Sequence, residues 1–514
     1  MSPTGRPEGE YRSAKHEGSP VNRPRARLRV FGRRLACAAA LFALAATAFA
    51  QGAHPTLPRA VGRAFLDAGV PLNAVAIVVQ ETGGHPPLFD YDADRSMSPA
   101  SVMKLVTTFA ALELLGPEYR WKTEAYLGGP LDGGTLAGDL VLKGYGDPKI
   151  TVEQWQAFMA ALRAQGLAAV SGNLVVDRSH FRLPPHDAAA FDGEPLKPYN
   201  VGPDAMLINF KSARLVFAAN AQQDGVDVAV QPPLPQVALG PAPRLAGGPC
   251  GDWRATLGAA FNDRGATASA TFAGAYPAAC GERDWYLALL DVPNYALGMF
   301  TAYFRAAGGQ FGGTVKEGRA PAGAAPFATM LSAPLYDIVR DVNKLSNNVM
   351  ARHLFLTLAT TAYPPPATPA LAAETVKQWA ARRKLRLPGL VIENGSGLSR
   401  QERISANGLA RLLAAADASP VRDEFASSLA VAAVDGTVQR RFQNGSVAGQ
   451  ALLKTGSLEG VRALAGYVID AEGRRWIVVA IINHANAARG APALDFLVQW
   501  VYRNAAAAER MPQR

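Results

Sequence analysis

The sequence predicts an α/β protein in which one domain is built from both ends of the chain and interrupted by a large β-rich insertion. Helical and apolar-strand patterns occupy residues 51–122 and return over 326–514. Residues 123–325 between them have another texture, with short apolar runs broken by Gly and Pro clusters. Composition agrees: 514 residues, 49% hydrophobic and 18% charged, with 49 Gly and 37 Pro, make a globular chain too long for one ordinary domain.

The leader comes first. Its Lys and Arg residues end at Arg33-Arg34, an apolar segment spans 35–49, and Ala48-Phe49-Ala50 is a small-x-small triplet. Residues 1–50 therefore read as a secretory signal peptide cleaved near Ala50. The apolar segment is shorter than the ~20 residues of a spanning helix, so no stable membrane span is expected after cleavage. The leader also carries much of the formal charge of +10; without it 43 basic residues face 39 acidic ones. No Lys/Arg run interleaved with aromatics remains, which excludes a nucleic-acid partner. Export changes the cysteine count, because Cys37 leaves with the leader and Cys250 and Cys280 stay. A bridge between them would close a loop of about 30 residues and contribute roughly 3–4 kcal/mol. Two unpaired buried thiols are the alternative.

The mature chain opens with a helix, an apolar strand over 74–80, a Gly83-Gly84 turn, a second strand over 88–91 and a long helix. The insertion shows strands such as 139–142 and few helices. Helices return over 335–343 and 349–360. Two apolar strands, 464–469 and 476–482, join across Glu472-Gly473, and a helix near 494–502 closes the chain.

The chemistry starts at Ser98-Pro99-Ala100-Ser101-Val102-Met103-Lys104. Ser98 can cap a helix with Pro99 in its first turn, where a missing N–H costs nothing. That places Ser101 among unsatisfied N–H groups at the positive end of the helix, with Lys104 three residues on and on the same face. The residues that follow are apolar nearly all round, so Lys104 is expected inside the protein. A buried ammonium loses its proton readily. Lowering its pKa from ~10.4 by ~3 costs ~4 kcal/mol and yields an amine able to activate a hydroxyl without histidine. Ser-x-x-Lys alone is unspecific, its bland reading being a helix start with a snorkelling lysine. Two further clusters stand in order: Ser346-Asn347-Asn348 at the start of a helix, and Lys454-Thr455-Gly456-Ser457 after Leu452-Leu453. Each has a structural use by itself, in caps and strand ends; the ordered triple is specific.

With these three motifs the sequence resembles the serine penicillin-binding and β-lactamase superfamily. Within it, the chain is similar to the D-alanyl-D-alanine carboxypeptidase/endopeptidase family, the class C low-molecular-mass penicillin-binding proteins. The marks are the 245 positions from Ser101 to Ser346, Gly146-Asp147-Pro148, Gly395-Ser396-Gly397-Leu398-Ser399-Arg400, and Asp435-Gly436-Thr437. The resemblance implies a transpeptidase-like domain, an antiparallel sheet flanked by helices, carrying the β-rich insertion. It implies a periplasmic serine-type D-Ala-D-Ala carboxypeptidase acting on peptidoglycan stem peptides, with DD-endopeptidase cleavage of cross-links as a second expected activity, acylated by β-lactams, with no cofactor and no metal. Ser101 would be the nucleophile, Lys104 its base, Ser346 the proton relay to the leaving amine, and Asn348 a partner of the substrate amide. Lys454 would lower the Lys104 pKa, Thr455 would bind the terminal carboxylate, Gly456 would belong to the substrate-binding residues, and the N–H groups of Ser101 and Ser457 would supply the oxyanion hole. Arg400 is a candidate for a carboxylate, with a surface salt bridge as its bland reading. Asn394 stands where an acidic residue is expected, and Asp192 and Glu194 fall in the stretch expected to hold a substrate amine without a shared motif. The seven histidines show no paired metal spacing. A β-lactam or ester hydrolase of the same superfamily and a non-catalytic wall-binding scaffold are the competing readings.

Overall fold

The computed structural model describes residues 57–510 apart from 221, 223 and 444; the expected signal peptide lies outside the described residues. Six antiparallel strands form the central sheet in the order Phe89–Tyr91, Val75–Glu81, Arg475–Asn483, Val461–Ile469, Ala451–Leu458 and Ala430–Val431. The two ends of the chain meet inside it, with Val75 opposite Ile482 and Glu81 opposite Trp476.

Both faces of this sheet are covered. Ala76, Val78, Ala463, Ala465, Ile477 and Val479 join a core with residues of the helices Lys104–Leu115, Asn348–Ala359 and Ala406–Asp417. Their neighbours Ile77, Val79, Leu464, Val478 and Ala480 turn the other way, toward Arg59–Asp67 and Ala491–Glu509. Coverage on both sides is why these strands read as nearly unbroken apolar runs. The hairpin between the last two strands turns at Gly473, with φ +83°, where the Asp470 carboxylate accepts the N–H of Glu472 and Arg474.

The insertion has its own core and a mixed five-stranded sheet in the order Val315–Glu317, Leu174–Asp177, Leu140–Gly144, Lys122–Leu127 and Ala328–Leu331. Lys122–Leu127 and Ala328–Leu331 pair antiparallel, so the chain leaves for the insertion and returns from it on adjacent strands. The insertion is also more helical than the sequence texture predicts, with helices Val152–Ala164 and Val292–Ala306. Trp155, Phe158, Met159 and Leu162 give the first its buried stripe, and Thr151 and Gln154 close a capping box at its start. Cys250 and Cys280 form a disulfide with Cα atoms 4.7 Å apart. No helix among the described residues is long and apolar enough to cross a membrane.

Two local expectations are corrected. Ser98 does not cap a helix: its backbone is held by Asn483, which accepts the Ser98 N–H and donates to the Ser98 carbonyl. Pro99 precedes a short 3₁₀ turn, Ala100–Met103, and the α-helix begins at Lys104. The Lys-Thr-Gly motif does not end a strand but lies within Ala451–Leu458, paired residue by residue with Val461–Ile469.

Candidate active site

The helix Lys104–Leu115 is buried over its first nine residues, as its apolar composition demands. Phe109 anchors it, meeting Trp379 edge-on at 5.4 Å and Phe425 at 5.4 Å. Lys104 is therefore fixed at 0% exposure. Its Nζ lies 3.0 Å from Ser101 Oγ and 2.6 Å from Asn348 Oδ1, and it also donates to the Ser396 carbonyl. Burial drives the Lys104 pKa far below the ordinary lysine range; Lys454 pushes it further down, against a smaller opposing pull from Glu402, and Arg352 adds to the lowering.

The partners of Lys104 define its geometry. A neutral amine has two hydrogens and one lone pair. Asn348 Oδ1 and the Ser396 carbonyl can only accept, so they take both hydrogens, and the lone pair is left facing the Ser101 hydroxyl. This arrangement can remove a proton from Ser101.

Ser346 and Asn348 are placed by the start of the next helix, where the Asn347 side chain accepts the Met350 N–H at 3.0 Å. Ser346 has φ +58°, a conformation uncommon outside glycine. Its Oγ accepts from Lys454 Nζ at 2.9 Å, and the same Nζ donates to the Thr455 carbonyl at 3.0 Å. Lys454 sits opposite Ala465, on the sheet face that packs against the helices. It too is wholly buried, which lowers its pKa to about 7. Two amines thus share one desolvated cleft, and the charge of Lys454 lowers the Lys104 pKa beyond what burial alone does.

The sheet edge and the serine turn are pressed together at glycine. A Cβ on Gly456 would sit 2.4 Å from the Pro99 carbonyl oxygen and 3.2 Å from the Ser101 nitrogen. Thr455 faces Thr437 with its hydroxyls 2.8 Å apart, and Ser457 is exposed at the strand's end. Six of the expected residues, Ser101, Lys104, Ser346, Asn348, Lys454 and Gly456, therefore meet through direct contacts. Arg400 stands apart: it is exposed, it reaches the Glu459 carbonyl and carboxylate, and its guanidinium lies 4.8 Å from the Phe191 ring centre. Asp192 is engaged by Tyr199 and Asn200.

The sequence missed Glu402. Its buried carboxylate accepts four backbone N–H groups, from Glu393, Asn394, Gly395 and Gly397, at 2.8–3.0 Å. It holds the loop that aims the Ser396 carbonyl at Lys104 and brings Gly397 against the Ala100 carbonyl. Asn394, the departure from the expected acidic residue, accepts from both the N–H and the hydroxyl of Ser396 and donates to the Leu398 carbonyl. An amide thus serves as a turn-former there without losing a contact.

The chain is similar to several known proteins. D-alanyl-D-alanine carboxypeptidase DacB of Haemophilus influenzae is 25% identical over 417 residues, covering 80% of this chain and 85% of the relative. The D-alanyl-D-alanine carboxypeptidase of Actinomadura sp. strain R39 is 29% identical over 466 residues, covering 85% and 84%. The crystal structure of penicillin binding protein 4 from Haemophilus influenzae superposes with a TM-score of 0.72 at 24% identity, over 87% of this chain and all of that one. The family model described as D-Ala-D-Ala carboxypeptidase 3 (S13) matches residues 58–503. With nearly the whole described chain inside that match, the protein belongs to the D-Ala-D-Ala carboxypeptidase 3 (S13) family.

Proposed function

We propose that the chain is an exported, periplasmic serine-type D-Ala-D-Ala carboxypeptidase that acts on peptidoglycan stem peptides through an acyl-enzyme on Ser101. The observation that carries this reading is the wholly buried Lys104 Nζ, 3.0 Å from Ser101 Oγ, with two further acceptors, Asn348 Oδ1 and the Ser396 carbonyl, to take the hydrogens of a neutral amine. Lys104 takes the Ser101 proton as Oγ bonds to the carbonyl carbon of the penultimate D-alanine. The N–H groups of Ser101 and Ser457 receive the developing oxyanion, worth about 2.7–4 kcal/mol per donor in comparable sites. The C–N bond breaks, and Ser346, in contact with Lys454, passes a proton to the leaving amine. Water then attacks the ester and regenerates Ser101. Asn348 holds the substrate amide and Thr455 the terminal carboxylate, while Arg400 lies outside this chemistry. The domain division that suits this reading is 51–122 and 326–514 as the catalytic body, with 123–325 as the insertion.

Incubation with penicillin is expected to add one drug mass to the protein, on the peptide containing Ser101, and D-alanine is expected to be released from a pentapeptide. Rapid turnover of the drug with no peptide cleavage would instead mark a β-lactam hydrolase.

The two lysines also set a pH profile. Acylation needs Lys104 neutral and profits from a charged Lys454 beside the departing amine. The rate should rise with pH on the acid side as Lys104 sheds its proton, then fall from about pH 7 upward as Lys454 does. Lys454→Gln should remove the alkaline limb. A wild-type rate that climbs steadily to pH 10 would separate Lys454 from the chemistry.

A further inference from the structure

Asp435-Gly436-Thr437 stands beside the cleft without a part in the acylation steps. It opens a short 3₁₀ turn, Gly436–Val438, between the strands Ala430–Val431 and Ala451–Leu458. Its neighbours fix its place. The Asp435 carboxylate accepts the Val431 N–H at 2.8 Å and pairs with Lys344 at 2.6 Å. Gly436, at φ +59°, packs so closely that a Cβ there would sit 2.8 Å from the Lys344 carbonyl oxygen, and Val438 is wholly buried in the core behind it. Lys344 is the last residue of the helix Leu335–Lys344, just ahead of Ser346. The turn is therefore anchored to the segment that delivers Ser346, while Val431 pairs with Leu452 on the strand that carries Thr455.

That anchoring brings two hydroxyls together. Thr437 Oγ1 lies 2.8 Å from Thr455 Oγ1, with Thr437 exposed and Thr455 half-buried. Each hydroxyl has one hydrogen to donate, so a bonded pair holds one hydrogen between its oxygens and keeps one free. In the proposed reaction Thr455 gives its hydrogen to the terminal carboxylate of the substrate. The hydrogen between the two oxygens then comes from Thr437. A hydroxyl that accepts one bond while donating another is both aimed and polarised. Without Thr437 the Thr455 hydroxyl rotates freely, and binding has to order it. Lys344 completes the arrangement, because its ammonium neutralises the turn's own carboxylate, which would otherwise repel that of the substrate.

We infer that Thr437 is a positioning residue for substrate recognition: it sets the Thr455 hydroxyl to donate to a carboxylate, and so selects peptides that end in a free carboxylate. The inference rests on the role proposed for Thr455. Thr437 acts only through that hydroxyl, and no bond to it forms or breaks in the reaction.

The test uses the mature protein, a pentapeptide ending in D-Ala-D-Ala and the same peptide with its terminal carboxylate converted to a carboxamide. The readout is the ratio of kcat/KM for the two peptides. Wild-type protein should prefer the carboxylate. Thr437→Val, which keeps the branched shape and loses the hydroxyl, should cut that ratio about tenfold, the factor of one hydrogen bond to a charged group. Thr437→Ser should restore most of it. Thr455→Val should cut the ratio at least as far, and adding Thr437→Val to it should change nothing more, because the two residues act as one unit. The inference is overturned by a Thr437→Val protein that keeps the wild-type ratio, including one that loses equally on both peptides. It is also overturned by a serine variant no better than the valine one, or by independent losses in the double variant. Wild-type protein that treats the two peptides alike would overturn the Thr455 role together with the inference. Wild-type protein that cleaves neither peptide and is not acylated by penicillin would overturn the carboxypeptidase reading itself.

Discussion

Lys104→Met should slow acylation of Ser101 by about 10²–10⁴, the usual contribution of a positioned base, while the protein stays folded. The side chain is wholly buried, and methionine replaces it at similar volume. Two acceptors, Asn348 Oδ1 and the Ser396 carbonyl, lose their donor, at about 1–3 kcal/mol each. Against that, the variant no longer desolvates an amine. The balance depends on pH. Because the folded pKa of Lys104 lies below its unfolded value of 10.5, the unfolded chain binds more protons between the two. The wild-type lysine therefore stabilises the fold fully only above the unfolded pKa, and that stability is lost as pH falls through the folded one. Urea unfolding should show the variant gaining on the wild type as pH drops from 10. Stopped-flow acylation should remain slow at every pH. Wild-type rates in the variant would mean that another group takes the Ser101 proton.

Much of this site was legible in the sequence because its parts are short motifs on elements with strong patterns. Ser101 and Lys104 are three residues apart at the start of a helix that is apolar nearly all round, and Asn347 is a cap residue before another. The sheet was legible in its two longest strands for the same reason. What escaped was set by tertiary contacts. Ala451–Leu458 interrupts its apolar run with lysine, threonine and glycine because those residues serve the cleft. The 3₁₀ turn at Ala100–Met103 replaces the expected capped α-helical start because Asn483, some 385 residues away, holds the Ser98 backbone. Glu402 carries no local signal: its four N–H partners belong to a loop whose shape exists only once the carboxylate is in place.

Glu402→Gln tests that loop. Glu402 Oε1 accepts three N–H groups, from Glu393, Asn394 and Gly395, and Oε2 accepts the fourth, from Gly397. Glutamine keeps one of these oxygens. If its carbonyl stays with the three, the NH₂ faces the Gly397 N–H donor to donor, and that buried group loses its partner. The remaining three bonds also lose the charge that strengthened them. The expected loss is about 2–4 kcal/mol in denaturant unfolding. Glu282→Gln, at an exposed carboxylate in the insertion and away from this loop, should stay within about 0.5 kcal/mol. Glu402 acts on the reaction only through the loop, so the loss has a second signature. Gly397 approaches so closely that a Cβ there would lie 1.9 Å from the Ala100 carbonyl oxygen, and the neighbouring Ser396 carbonyl accepts from Lys104. A loop that shifts at Gly397 releases one of the two acceptors that orient the Lys104 lone pair. Acylation by penicillin should therefore slow in Glu402→Gln under conditions where the variant is fully folded, with its acid limb moved to a different pH. A variant that loses stability yet keeps the wild-type rate and acid limb would confine Glu402 to holding the loop together.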